Sequence, residues 1–384
     1  MDKPISFWTN TFAKLGLRLR RKTGSLKPLK HRAMRLEQLQ DRRMLATDLA
    51  VSSFEADGQD WVVTYDVTDQ AATAFDISVY RSSDGQTADT LIQTRRITNS
   101  GDLAVGDHTI TIDPNFTDVE QDYYLVVKLD STDENSESSE TNNQTVFAGG
   151  VFLNGSELHV HGTDGADWLD LDNDGTLDVT MGAFSYSYSS ATVTAIRARM
   201  HDGDDTITTS STVGAPMWAF GGDGDDTIHG TSQGDKIYGG EGDDDLYGEG
   251  GADEIHGGDG DDVIYGNAGN DTIYGDAGND TIYGDGTTPG GTDGADVIHG
   301  GLGNDILFGG GGNDTLFGDG GNDVLDGQTG TDLVHGGDGF DLPEILDDEE
   351  TGYQETGAWT DDAAGGGFMG NQRLHASGSG TDKA

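Results

Sequence analysis

Over residues 221–341 the apolar positions recur once in nine, and most of what lies between them is glycine or acid. GGDGDDTIH, GTSQGDKIY, GGEGDDDLY, GEGGADEIH, GGDGDDVIY, GNAGNDTIY and GDAGNDTIY follow one another without a gap. Residues 284–290 interrupt, and GTDGADVIH, GGLGNDILF, GGGGNDTLF, GDGGNDVLD, GQTGTDLVH and the fragment GGDGFD resume the register. The eighth position is aliphatic in every complete unit, from Ile228, Ile237 and Leu246 to Leu316, Leu325 and Val334. An amphipathic helix would repeat its apolar residues every three or four positions and a half-buried strand every second, so neither long element fits. One inward aliphatic per nine predicts short strands stacked in two sheets, with a thin aliphatic column between them and Gly-rich turns at either edge. No unit buries a core alone, so stability comes from stacking.

Upstream the texture becomes alternating and β-branched: WVVTYDV (61–67), FDISVYR (75–81), TLIQTRRI (90–97), HTITI (108–112), YYLVVKLD (123–130) and QTVFAGGV (144–151). Short strands over about 100 residues predict a β-sandwich across 47–150. Residues 151–220 read as a β-rich entry cap containing degenerate nines. GTDGADWLD (162–170) carries Asp167 and Leu169 at positions 6 and 8, and MHDGDDTIT (200–208) is a second such unit. The repeats proper occupy 221–342. Residues 1–46 read as a basic leader and 343–384 as a flexible acidic, Gly-rich tail. The expected fold class is all-β: an Ig-like β-sandwich followed by a parallel β-roll solenoid.

Charge sharpens this picture. The 384-residue chain has a formal net charge of −49, yet twelve of its 21 Lys and Arg lie within residues 1–43. Between residues 200 and 372 the only Lys or Arg is Lys236. Nucleic acid and anionic membranes are therefore poor partners for the body of the chain. No stretch is apolar enough to span a bilayer, and the leader lacks the 7–15-residue apolar core of an ordinary secretory signal. There is no cysteine, so neither disulfides nor thiolate chemistry contribute.

The candidate chemistry sits at position 6, which is Asp in every unit: Asp226, Asp235, Asp244, Asp253, Asp262, Asp271, Asp280, Asp296, Asp305, Asp314, Asp323, Asp332 and, in the fragment, Asp341. Stacking sets these carboxylates in rows about 4.8 Å apart. Such rows repel unless neutralised. Ca²⁺ suits them, because it takes six to eight oxygens and mixes Asp carboxylates with backbone carbonyls, whereas Mg²⁺ demands a smaller, rigid octahedron. A disordered acidic tract is the alternative reading of the same composition, and the invariant aliphatic at position 8 argues against it.

This nonapeptide resembles the RTX, or haemolysin-type, calcium-binding repeat. The resemblance implies a β-roll with two nines per coil, calcium held between turns one coil apart, and roughly 8–10 ions. Two further resemblances bear on the rest of the chain. RLEQLQDRRMLA (35–46) is similar to the LEPR-x-LL type of N-terminal motif, carried by Glu37, Leu39, Arg42, Arg43, Leu45 and Ala46, with Gln40 and Met44 departing from it. That motif implies export. TDLAV (47–51), YYLVVKLD (123–130) and DENSESSETNN (133–143), with Glu137, Glu140, Asn142 and Asn143, resemble the CARDB family of Ig-like bacterial surface domains. That family implies a link to adhesion and carries no known catalytic residues.

Four other features are candidates. DLDNDGTLD sets Asp170, Asp172 and Asp174 on alternate residues before Gly175, with Asp178 following. It matches the first half of an EF-hand loop but has Met181 where the bidentate Glu belongs, so a DxDxDGxxD calcium loop and an acidic hairpin both remain open. His159 and His161 share a strand face and can begin a zinc site, with no third ligand at a telling spacing. Position 9 is mostly aromatic or His, and neighbours 18 apart, such as Tyr247, Tyr265 and Tyr283, form a ladder that either braces strands or offers sugars a platform. GTSQG at 230–234 imitates a nucleophile elbow, but Ser232 falls in a repeat turn with no helix to follow. There is no HExxH and no P-loop. The expectation is an exported, non-enzymatic calcium-binding protein that folds on calcium, acts structurally or adhesively at the cell surface or outside the cell, and has a surface polysaccharide or another surface protein as partner. The rivals are a secreted polysaccharide-binding module and an extracellular enzyme.

Overall fold

The computed structural model describes residues 47–68, 71–119, 121–130, 135, 142–286 and 294–343. The basic leader with its 35–46 motif, Glu137 and Glu140, residues 287–290 of the interruption, and the tail beyond Pro343 lie outside the described residues. Among the described residues every regular element is a β-strand.

Seven strands make the N-terminal sandwich: β1 (Asp48–Ala56), β2 (Trp61–Thr68), β3 (Phe75–Ser82), β4 (Thr90–Ile97), β5 (Gly106–Ile112), β6 (Tyr124–Leu129) and β7 (Gln144–Val146). They pair antiparallel as β1-β2-β5 in one sheet and β4-β3-β6-β7 in the other. Strict alternation drives this. In β2, Trp61, Val63, Tyr65 and Val67 are buried, while the residues between them are only partly so. Together with Leu49, Phe54, Phe75, Ile77, Leu125 and Leu129 they form one core.

The next strands are β8 (Gly150–Asn154), β9 (Glu157–His161), β10 (Trp168–Asn173), β11 (Leu177–Met181), β12 (Phe184–Tyr188), β13 (Ala195–Asp202), β14 (Thr206–Thr209) and β15 (Met217–Asp223). β8 joins the two halves through its own alternation: Val151 enters the core of the solenoid and Phe152 that of the sandwich. Parallel pairing begins at β9-β13-β15 on one side and β10-β14 on the other, before the sequence becomes regular. From there the chain winds as a parallel solenoid of about seven turns between a 10-stranded and an 11-stranded sheet. The cap and the repeats share one continuous column, from Val151 through Ile207, Ile228 and Ile264 to Leu325. The position-8 residues from Ile228 to Leu325 are at most 1% exposed. Only Val334, in the last full unit, is partly open.

The interruption leaves the coil intact. Thr272 pairs with Val297 and Ile273 with Ile298, so the ladder resumes in register across the insertion, where partners are 25 residues apart instead of 18. In most units positions 2 and 4 carry positive φ, as at Gly240 (133°) and Gly242 (130°). The position-1 glycines do not adopt it and are needed for a different reason, described next.

Candidate metal centre

Each turn runs from a position-1 glycine to a position-6 aspartate. Asp226, Asp244, Asp262, Asp280, Asp305, Asp323 and Asp341 lie along one edge, and Asp235, Asp253, Asp271, Asp296, Asp314 and Asp332 along the other. Within a row each carboxylate caps the coil before it. Asp244 Oδ1 accepts the Asp226 backbone N–H at 2.8 Å, Asp262 Oδ1 that of Asp244 at 2.9 Å, and Asp271 Oδ1 that of Asp253 at 2.9 Å. Across the interruption the pattern holds, with Asp296 Oδ1 accepting from Asp271 N and Asp305 Oδ1 from Asp280 N, both at 2.9 Å. The rows are therefore spliced by hydrogen bonds as well as crowded by charge.

The second oxygen is the informative one. Oδ2 of Asp226, Asp244, Asp253, Asp262, Asp271, Asp280, Asp296, Asp305, Asp314, Asp323 and Asp332 is buried and has no hydrogen-bond partner. A buried carboxylate oxygen left alone costs about 1–3 kcal/mol or more. Beside each lies a glycine, the position-1 glycine of its own unit in every case but Asp296, where Gly284 takes that place. A Cβ at Gly239 would fall inside 3.0 Å of both Asp244 Oδ2 and the Gly257 carbonyl oxygen, which belongs to the next coil. The same pair of oxygens crowds Gly257 (Asp262 Oδ2 and Gly275 O) and Gly318 (Asp323 Oδ2 and Gly336 O). Position 1 is glycine because a side chain would occupy an oxygen-lined space. Unpaired carboxylate oxygens beside backbone carbonyls, with no nitrogen or sulfur, form the donor set of a hard cation such as Ca²⁺. Among the described residues no group of three His, Asp or Glu side chains converges on one point, so backbone carbonyls must supply part of any shell.

Burial sets the protonation chemistry of these groups. Desolvation pushes Asp226, Asp244, Asp262, Asp271 and Asp280 up to about 7 and Asp253 and Asp296 up to about 8. The N–H from the preceding coil partly offsets this, and neighbouring carboxylates add to it. Asp235, Asp314 and Asp323 reach about 6, and Asp305, Asp332 and Asp341 are raised for the same first reason.

Asp205, not among the expected ligands, belongs to the first row. Its Oδ1 accepts the Asp167 N–H at 2.6 Å, its N–H donates to Asp226 Oδ1 at 2.7 Å, and its Oδ2 is a further buried oxygen without a partner. The signal was position 6 of the degenerate unit MHDGDDTIT.

DLDNDGTLD forms the β10–β11 hairpin, turning through Asp174 and Gly175. Asp172 faces Asp178 across the strands, Asp178 Oδ1 accepts the Ser187 hydroxyl at 2.6 Å, and Asp170 Oδ1 accepts that of Thr208 at 2.7 Å. His159 and His161 are buried beneath the sandwich, with Phe152 stacked on both. His161 Nδ1 lies 3.3 Å from Nε2 of His201, which sequence spacing did not connect to it. Ser232 donates its hydroxyl to the Val213 carbonyl at 3.0 Å. The position-9 residues form two ladders, one per sheet. Tyr247, Tyr265 and Tyr283 stack at 5.1 and 4.7 Å, and on the other sheet Tyr238, His256, Tyr274 and His299 stack at 4.5–5.2 Å. The ladder histidines also meet acids one coil on, His256 with Asp276 and His299 with Asp319.

Residues 220–255, 256–287, 290–325 and 309–343 match the family model of the RTX calcium-binding nonapeptide repeat, in four copies. No curated protein matches the chain. The chain thus carries RTX calcium-binding repeats over these residues, and the β-roll is the form they take.

Proposed function

We propose that the chain is exported, that calcium folds it outside the cell, and that it serves there as a structural or adhesive element. The rows of buried, unpaired Oδ2 atoms carry this reading. One unit of upward pKa shift is worth about 1.4 kcal/mol. A domain is stable by only about 5–15 kcal/mol, so the buried carboxylates raised to about 6–8 weigh heavily against the metal-free fold at neutral pH. The metal-free roll is then unfolded where calcium is scarce. The ligands would be the position-6 aspartates of each row, with Asp205 at its head, together with the position-1 glycine carbonyls. Bound there, calcium supplies the positive charge that the rows lack, and binding energy becomes folding energy. The chain does the rest: the Oδ1 hydrogen bonds fix each carboxylate, glycine keeps the space open, and the column closes behind it.

The resemblance of residues 35–46 to an export-associated motif, and of the sandwich to bacterial surface domains, supports the location and the role. Fractionation of the native host, with protease added to intact cells, tests it. The chain should be outside, resistant in calcium and degraded after chelation; retention in the cytosol would overturn the reading.

A second reading, a polysaccharide-binding module, is favoured by the evenly stacked Tyr247, Tyr265 and Tyr283, whose planes lie within 4° of parallel. Glycan-array binding abolished by Tyr247→Ala and Tyr265→Ala would support it. Binding to no glycan would remove it.

A further inference from the structure

We propose that the cleft between the sandwich and the first coil is a metal site of another kind, for a hydrated divalent cation of the Zn²⁺ class bound directly by His201 Nδ1 and Asp122. The cleft has a volume of about 280 Å³, and Asp84, Asp122, Tyr124, His201, Asp202 and Asp223 are in its lining, which includes no Lys or Arg. Asp202 and Asp223 are register partners on adjacent parallel strands, an arrangement of like charges that is unfavourable without a counter-ion.

His201 turns this acidic cleft into a candidate site. It is only 4% exposed, and its Nδ1 makes no hydrogen bond. Asp122 Oδ1 lies 3.5 Å from that nitrogen. The ring is fixed from two other directions: Tyr124 stacks on it at 4.1 Å, and its Nε2 meets His161 Nδ1 at 3.3 Å. Tyr124 is held in turn by its hydroxyl, which donates to Asp202 Oδ1 at 2.9 Å. When His201 Nε2–H donates to His161, the Nδ1 lone pair is left facing the Asp122 carboxylate. Two lone pairs repel, and a cation between them turns the repulsion into two bonds. A gap of 3.5 Å matches neighbouring ligands on an ion whose bonds are about 2.0–2.4 Å. A metal-bound histidine commonly donates its other N–H to a second partner, the part His161 plays here.

No third His, Asp or Glu side chain joins at bonding distance among the described residues, so water completes the shell. The cleft has room for it, since each water takes about 30 Å³. Asp84, Asp202 and Asp223 are placed to accept hydrogen bonds from those waters. Imidazole selects the Zn²⁺ class over Ca²⁺, which prefers oxygen, so this site differs in kind from the turns of the roll.

The test uses the full chain in saturating calcium, with Zn²⁺ alone as the probe competed against a chromogenic chelator. One equivalent should bind, and His201→Asn and Asp122→Asn should each weaken it by at least about tenfold. Asn is chosen because Asn267 holds the same repeat position at φ 67°, close to the 74° of His201. His335→Asn, on the exposed last coil, should leave binding unchanged. Asp122 is a third exposed, so its variant reports on the site even if His201→Asn disturbs folding. Zinc bound equally by the wild type and both variants, or no zinc bound in calcium, overturns the proposal.

Discussion

Asp226 donates its backbone N–H to Asp244 Oδ1 at 2.8 Å, while Asp244 Oδ2, buried beside Gly239, has no partner. The two oxygens of one carboxylate thus divide the work, one joining coils and the other facing the cation space. Asp244→Asn keeps the first and removes the charge of the second. The calcium midpoint for folding should rise by about an order of magnitude. Asp243→Asn, at an exposed neighbour whose Oδ1 accepts the Asp261 N–H, should change stability by less than about 0.5 kcal/mol. Calcium titrations of both variants separate the two positions.

Gly257→Ala adds only a methyl group, but that group would meet Asp262 Oδ2 and the Gly275 carbonyl inside 3.0 Å. It should impair calcium-dependent folding as severely as loss of Asp262. Gly214→Ala, where nothing lies within 4 Å and φ is not positive, should be neutral. Calcium-dependent ellipticity of the two alanine variants tests the claim that position 1 is glycine for space.

Ile264→Ala empties one rung of the column, where the side chain is 0% exposed. The expected loss is about 2–5 kcal/mol in calcium-saturated denaturation, because the stacked strands collapse poorly around a cavity. Val334, at the partly open end, should cost less.

The metal-free roll should depend on pH in a direction opposite to that of most proteins. In the folded state its buried aspartates are raised to about 6–8, against roughly 3.9 in an unfolded chain. Between those values the folded state binds more protons, so stability falls as pH rises. Its full contribution is present below about pH 4 and is lost as pH climbs through about 6 to 8. In chelator, β-structure should therefore diminish from pH 5 to 8, and calcium should restore it at pH 8. Circular dichroism on samples kept monomeric checks both halves.

The regular half of the fold was legible because two chemical demands repeat at fixed positions: an aliphatic to fill the column at 8 and a carboxylate at 6. Spacing also placed the ladder tyrosines, since 18 residues make one coil. Asp205 escaped because Met200 and His201 stand where its unit should have glycines. The His161–His201 and Arg199–Asp118 contacts were invisible for a different reason, being 40 and 81 residues apart with no periodicity to join them. DLDNDGTLD left a calcium loop and an acidic hairpin both open, because its alternating carboxylates suit either; Leu171 and Leu177, buried between them, follow the alternation of the hairpin it forms.

That junction yields its own expectation. Arg199 is 0% exposed and donates to Asp118 Oδ2 at 3.0 Å, to Val119 O at 2.9 Å and to Gln121 O at 3.0 Å. Arg199→Ala takes the nearer guanidinium from Asp118, which keeps the Tyr123 hydroxyl and the more distant Arg197, and should cost about 1–3 kcal/mol. Denaturation in saturating calcium should show the loss, since calcium cannot supply this charge.

The most direct measurement is far-UV circular dichroism of the full chain across a calcium titration, with magnesium in parallel. The account predicts a cooperative gain of β-signal in calcium and none in magnesium at the same concentrations. A β-spectrum unchanged by chelator at neutral pH would contradict it, because the rows of buried carboxylates would then be folded without the cation that they are argued to need.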